Sequence, residues 1–88
     1  MIEKHLIITN KYGLHARPAA KFVETASRYD SDVRISKDGI EVNGKSIMGV
    51  LMLAAEKGSE IILRADGIDA DDVIRELTNL LEGKFDEE

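Results

Sequence analysis

Apolar and polar residues alternate with a period of two in four short stretches, the pattern of half-buried β-strands. The first stretch is residues 2–9 and the last is residues 60–66. The middle two flank Asp38-Gly39, which favours a tight hairpin because glycine accepts a positive φ angle. The apolar residues that share a strand face are Ile2, Leu6 and Ile8, then Val33 and Ile35, Ile40 and Val42, and finally Ile61, Leu63 and Ala65.

Two other segments repeat apolar residues every three to four positions and are predicted to be helices, and a third, short helix is predicted to follow Ser46. The first runs from about residue 16 to residue 28, where Pro18 is tolerated because the first turn needs no N–H there. A short helix covers about residues 47–54. The last begins after Asp69, as its N-terminal cap, and ends at Gly83. The apolar face of the last helix consists of Val73, Leu77, Leu80 and Leu81. The apolar face of the first helix consists of Ala19, Phe22, Val23 and Ala26.

The predicted element order is βαββαβα. Four short strands with all three helices on one face suit an α+β fold, an open-faced sandwich with a four-stranded antiparallel sheet. With 88 residues, of which 43% are hydrophobic, the chain is long enough for one small domain over residues 1–88.

Several functional classes are excluded by composition. The chain has no cysteine for disulfides or thiolate metal sites, and no apolar run approaches the ~20 residues of a membrane span. Its two histidines, His5 and His15, are not at metal-ligand spacing, and no third ligand is apparent, so neither a metal nor a cofactor is expected. No signal peptide is visible, and a cytoplasmic location is expected.

The charges are unevenly distributed. A formal net charge of −5 argues against general nucleic-acid binding, which needs a basic surface. Residues 10–21 nevertheless hold Lys11, Arg17 and Lys21 and no acid, whereas most acids lie in residues 66–88. A local positive field around the first helix is therefore expected within an acidic protein.

The start of the first helix carries the candidate chemistry. His15 stands where an N-cap is expected, although histidine is a poor cap. Free N–H groups and the positive end of the helix dipole bind phosphate there, and Arg17 adds a fork of donors suited to phosphate oxygens. The same field disfavours the imidazolium, which leaves a neutral, nucleophilic ring suited to a transient phosphohistidine. From the residues alone, the alternative is an ordinary solvated loop histidine.

Two segments carry a family resemblance. Residues 13–19, GLHARPA, resemble the active-site segment of HPr, the histidine-containing phosphocarrier family of the bacterial sugar phosphotransferase system. Residues 45–50, KSIMGV, resemble the regulatory segment of the same family. The interval between the two segments, the element order and the total length also fit, so the resemblance covers essentially the whole chain.

The resemblance implies a carrier rather than an enzyme. Members of the HPr family take a phosphoryl group from enzyme I, which is itself phosphorylated by phosphoenolpyruvate, and pass it to EIIA-type proteins. His15 would carry the group on Nδ1 and Arg17 would steady it. A monomer is expected, with no nucleic-acid partner and no membrane insertion.

Ser46 and the short helix that follows it are expected to regulate and dock partners. Ser46 is a good N-cap by residue type, and the resemblance implies its phosphorylation by an HPr kinase/phosphorylase. Residues 47–55 hold too many apolar side chains for one buried face, so the excess is either exposed or doubly buried. Pure core is the alternative to partner docking. The expected docking residues are Ile47, Met48 and Met52, with Arg17, Ala20 and Lys21 beside them.

Three alternative functions of the chain are compared with this interpretation. Residues 10–13, NKYG, and the ending 85–88, FDEE, resemble the nitrogen-related branch of the family, which serves a regulatory phosphorelay. An acylphosphatase-like enzyme has similar size and architecture, but the sequence lacks its glycine-rich loop. A purely regulatory module of the family would lack the phosphorylatable residue, and His15 argues against it.

Overall fold

The computed structural model describes residues 1–86. The predicted βαββαβα order and the open-faced sheet are confirmed: the strands lie in the order β1-β4-β2-β3, and every neighbouring pair is antiparallel. The elements are β1 (Ile2–Ile7), α1 (Ala16–Ser27), β2 (Asp32–Lys37), β3 (Ile40–Asn43), α2 (Ile47–Met52), β4 (Glu60–Asp66) and α3 (Ala70–Glu82), followed by a short turn, Lys84–Asp86.

The sheet is organised around β4, which lies between β1 and β2. Ala65 is paired with Ile2 on one side and with Val33 on the other. The alternation along β4 buries Ile61, Leu63 and Ala65 against the helices, because successive side chains of a strand point to opposite faces. The opposite face of the sheet is open and carries charged side chains, among them Glu3, Glu41 and Arg64.

Residues Asp38 and Gly39 form the predicted hairpin turn. Their φ angles are 52° and 82°, and Lys37 is paired directly with Ile40 across the turn. Positive φ at both central residues is what a two-residue type I′ turn requires.

The helices cover one face of the sheet through the predicted apolar stripes. Phe22 of α1 and Leu77 of α3 are fully buried. Helix α2 ends at Met52, earlier than the predicted residue 54, because its last turn tightens. The amides of Leu53 and Ala54 bond to carbonyls three residues back, and Ala54 then turns into the left-handed region with φ 49°.

The start of α3 differs from the prediction. Asp69 occupies the N-cap position but makes no side-chain bond to its own helix. Its carboxylate instead accepts hydrogen bonds from the amides of Asp30 and Ser31, each at 2.9 Å, and from the hydroxyl of Ser31. Asp69 therefore joins the loop after α1 to the start of α3.

The end of α3 also differs. Gly83 is the C-terminal cap but has a φ of −82°, and the left-handed conformation falls on Lys84 and Phe85, with φ 54° and 56°. This turn returns the chain to the core, where Phe85 is fully buried. Burial of the aromatic ring is favourable and opposes the strain of the two left-handed residues. Of the predicted solvated tail, residues 86–88, positions 87 and 88 lie outside the described residues.

Within residues 1–86, none of the helices has the combination of length and apolar character that crossing a membrane would require.

Candidate functional site

The loop that leads into α1 is held by hydrogen bonds on both sides. The side-chain amide of Asn10 donates to the Gly13 carbonyl at 2.7 Å, and the Leu14 amide donates to the Ala55 carbonyl at 2.8 Å. Gly13 has a φ of 67°, and a Cβ there would lie 2.2 Å from the Ala55 oxygen. The position therefore requires glycine for conformation and for space.

His15 is the N-cap of α1, as predicted. Its backbone is extended, with φ −77° and ψ −172°, and its carbonyl accepts the amide of Ala19 at 2.9 Å. The imidazole is half-buried and makes no capping hydrogen bond to the helix. The ring at this helix start is thus not used to satisfy the helix's own amides.

The first turn of α1 presents positive groups and no carboxylate. Arg17 is exposed in this turn, and the turn contains no acidic residue. The first amide that bonds within the helix is that of Ala19, and Pro18 has no N–H, so the amides without an intrahelical acceptor include those of Ala16 and Arg17. The structure therefore places the His15 ring and the amides of Ala16 and Arg17 at one helix terminus, where an anion is stabilised, and the Arg17 side chain is exposed in the same turn.

Tyr12 also belongs to this site, although the sequence analysis did not single it out. The rings of Tyr12 and His15 lie edge to face, with centroids 5.9 Å apart and planes at 86°. The ammonium of Lys11 lies 5.2 Å from the centre of the Tyr12 ring. The sequence signal for Tyr12 is an aromatic residue in the loop that precedes the candidate histidine.

A shallow concavity of about 260 Å³ lies beside His15. Tyr12 and Leu14 line it from the loop, and Leu51 of α2 and Ala54, just after that helix, line it from the other side. The loop before His15 and the C-terminal part of α2 are therefore neighbours in space, which links His15 to the α2 surface.

Ser46 is confirmed as the cap of α2. Its Oγ accepts the amide of Gly49 at 3.1 Å, and its backbone is extended, as an N-cap requires. The side chain is half-buried, so this hydroxyl lies at the edge of the surface formed by α2.

Most of α2 faces outward. Val50 is the buried residue of this helix, whereas Met48 and Met52 are 68% and 78% exposed. Ile47 and Leu51 are also exposed, so the apolar excess does not belong to the core. We call Ile47, Met48, Leu51 and Met52 the α2 apolar surface; Leu51 was not among the predicted docking residues.

The two remaining predicted docking residues lie on α1. Ala20 is exposed. Lys21 is half-buried, and its ammonium donates to the Phe85 carbonyl at 2.6 Å. The charge of Lys21 is therefore engaged within the chain, by a residue whose burial the sequence analysis missed.

A larger concavity, of about 370 Å³, lies on the open face of the sheet, away from His15. Arg64, in its lining, is 2.9 Å from a Glu3 oxygen and 3.0 Å from a Glu41 oxygen. Hydrogen bonds from His5 and then from Arg64 lower the pKa of Glu3. These charges are paired with one another, and residues 1–86 contain no cluster of three or more His, Cys, Asp or Glu that could hold a metal.

Comparison with known proteins places this arrangement in a family. The sequence profile described as "PTS HPr component phosphorylation site" matches residues 2–83. A phosphocarrier protein HPr of Xylella fastidiosa is 49% identical over 88 residues, covering 100% of this chain and 99% of the relative.

Solved structures agree with the sequence match. HPr-C-His of Thermoanaerobacter tengcongensis is 48% identical, with a TM-score of 0.97 over 100% of this chain and 99% of that one. An HPr dimer from the same organism is 47% identical, with a TM-score of 0.78 over 97% and 98% of the two chains. Because the profile covers residues 2–83 and these relatives match in sequence and fold over the full length, this chain belongs to the HPr family of phosphocarriers of the phosphotransferase system.

Proposed function

We propose that this chain carries a phosphoryl group on Nδ1 of His15, accepting it from phosphorylated enzyme I and passing it to EIIA-type proteins. The observation that carries the proposal is the His15 ring, held at the N-terminus of α1 without capping it, with Arg17 exposed in the same turn. The Nδ1 lone pair attacks the phosphorus atom as the bond between phosphorus and the donor group of enzyme I breaks. The second transfer reverses these roles, so the carrier is regenerated.

The negative charge of the phosphoryl group explains why the His15 ring lies at the N-terminus of a helix. The positive end of α1 and the Arg17 guanidinium stabilise the phosphorylated ring, and the turn contains no acid to oppose them. The shallow surface beside His15 suits transfer between two proteins better than binding of a small substrate. Residues 1–88 then act as one cytoplasmic carrier domain that needs no cofactor.

Docking is proposed at the α2 apolar surface with Arg17, Ala20 and Lys21. Exposed methionines suit a surface that meets several partners, because their flexible side chains repack. We propose a monomer as the working form, since this surface is then open beside His15. The dimeric relative makes sedimentation of the purified protein the direct check of this point.

Regulation is proposed at Ser46. A phosphate on this hydroxyl would lie at the start of α2 and next to the α2 apolar surface. Its charge would repel acidic partners while the helix itself tolerates it. An HPr kinase/phosphorylase is the proposed modifying enzyme, and the output is either sugar uptake or a nitrogen-related phosphorelay.

Intact mass spectrometry tests the central proposal. Incubation with enzyme I and phosphoenolpyruvate should add one phosphoryl group, and the product should be labile in acid and stable in base, as a phosphoramidate is. His15→Ala should remove the labelling, while the matched variant His5→Ala, on the open face of the sheet, should keep it. Labelling of a folded His15→Ala variant would refute the proposal. Adding candidate EIIA proteins should then discharge the wild-type protein.

A further inference from the structure

Tyr12 is held in a defined place rather than on a loose loop. The hydrogen bonds of Asn10 and Leu14 close the loop on either side of it, and Gly13 fits against Ala55 with no room for a side chain. The Lys11 ammonium adds a cation–π contact to the ring. The aromatic ring therefore approaches His15 from a fixed backbone.

The contact between Tyr12 and His15 restricts the imidazole. The edge-to-face geometry, with an angle of 86° and a centroid distance of 5.9 Å, is a favourable arrangement of two rings. A histidine ring can rotate broadly about χ2, and the contact with the Tyr12 ring favours one of its orientations. Rotation away from the observed orientation loses the ring contact.

We propose that Tyr12 is a positioning residue that orients the His15 ring for phosphoryl transfer. The inference rests on the proposed function of His15. In-line attack needs the nitrogen lone pair aligned with phosphorus, and the fraction of rings already aligned multiplies the rate of the chemical step. Tyr12 acts through the ring of His15 and not through its own hydroxyl.

The alternative role for Tyr12 is partner docking, because the side chain is 67% exposed and borders the concavity next to α2. The two roles differ in kinetics. Loss of positioning lowers kcat, whereas loss of uniform binding raises KM and leaves kcat unchanged.

Two matched variants separate the ring from the hydroxyl. Tyr12→Phe keeps the ring contact, and Tyr12→Leu keeps an apolar side chain without the ring. The measurements are kcat and KM for phosphorylation by enzyme I and the NMR shifts of the His15 ring protons in the unphosphorylated protein. We expect Tyr12→Leu to lower kcat by about two- to tenfold and to shift the His15 resonances. Tyr12→Phe should retain the wild-type kcat and nearly the wild-type shifts.

An unchanged kcat for Tyr12→Leu, a change in KM alone, or an equal loss of kcat in Tyr12→Phe would overturn the positioning role. Circular dichroism and urea unfolding of both variants exclude a loss of fold. Failure of the wild-type protein to be labelled on His15 would instead overturn the proposed function. The NMR comparison still reports on the ring contact in that case, so the two failures are distinguishable.

Discussion

The ammonium of Lys21 donates a hydrogen bond of 2.6 Å to the main-chain carbonyl of Phe85. This bond joins α1 to the turn that follows α3, across 64 positions of sequence. It places the charge of Lys21 next to a fully buried aromatic residue, and it satisfies a carbonyl in a turn that is too short for helical bonding. The end of the described chain is thereby part of the fold.

Phe85 is expected to contribute strongly to stability. Phe85→Ala should lower the free energy of unfolding by about 3–5 kcal/mol, because the change removes a fully buried ring and leaves a cavity. Urea denaturation is the measurement. Phe85→Leu, which keeps much of the apolar volume, is the control and should lose clearly less. Equal stability of Phe85→Ala and the wild type would show that the turn is not packed in solution.

Gly13 is expected to tolerate no side chain. Gly13→Ala combines a left-handed conformation with a Cβ only 2.2 Å from the Ala55 oxygen, and should cost at least about 2 kcal/mol. Gly39→Ala is the control, since it has a positive φ of 82° but nothing within 4 Å of a Cβ.

The difference between Gly13→Ala and Gly39→Ala measures the effect of the close contact with Ala55. Gly13→Ala should unfold at lower urea than Gly39→Ala and should also be phosphorylated more slowly, because the loop carries Tyr12 and His15. A similar loss of stability in both variants would indicate conformational strain alone.

Ser46 is expected to show opposite effects in two assays. Ser46→Ala loses the bond to the Gly49 amide and should cost roughly 0.5–2 kcal/mol of stability in urea. Ser46→Asp keeps a good cap and places a charge at the positive end of α2, so it should be at least as stable as Ser46→Ala.

Phosphorylation by enzyme I should be slower for Ser46→Asp than for Ser46→Ala, because the new charge lies next to the α2 apolar surface and opposes an acidic partner. The difference should shrink at high salt, where exposed charges are screened. Equal rates for the two variants at low salt would reject docking next to Ser46 and leave it as a cap alone.

Asp69 is expected to make stability depend on acid pH. The hydroxyl of Ser31, followed by the Asp30 amide, lowers the pKa of this carboxyl below its ordinary 3.8. The unfolded chain therefore takes up the proton first as pH falls. The contribution of Asp69 is fully present above the ordinary pKa and is lost as pH falls through the lower, folded value.

Asp69→Asn should lower the urea midpoint near neutral pH and flatten its decline in acid. Asp71→Asn removes an exposed carboxylate from the first turn of the same helix and serves as the control. A decline in acid as steep in Asp69→Asn as in the wild type would remove Asp69 as its cause.

Local periodicity determined most of the fold. The strand over residues 60–66 and the turn at Asp38-Gly39 follow from side-chain alternation and from the φ preference of glycine, and the structure reproduces both. His15 and Ser46 were placed at helix starts because a predicted helix directly follows each of them. These features depend on neighbours within a few positions, which a single sequence displays directly.

Tertiary structure decided which distant groups meet. By residue type, Asp69 suits a cap of its own helix, yet its carboxylate bonds to Ser31, 38 positions away. Phe85 is buried and accepts the hydrogen bond from Lys21 only because α1 and α3 pack side by side on the sheet. Likewise, an apolar excess in α2 is compatible with core or surface until packing buries Val50 and leaves Met52 outside. Periodicity specifies the face of an element, but the element that covers this face depends on long-range packing, which no local pattern encodes.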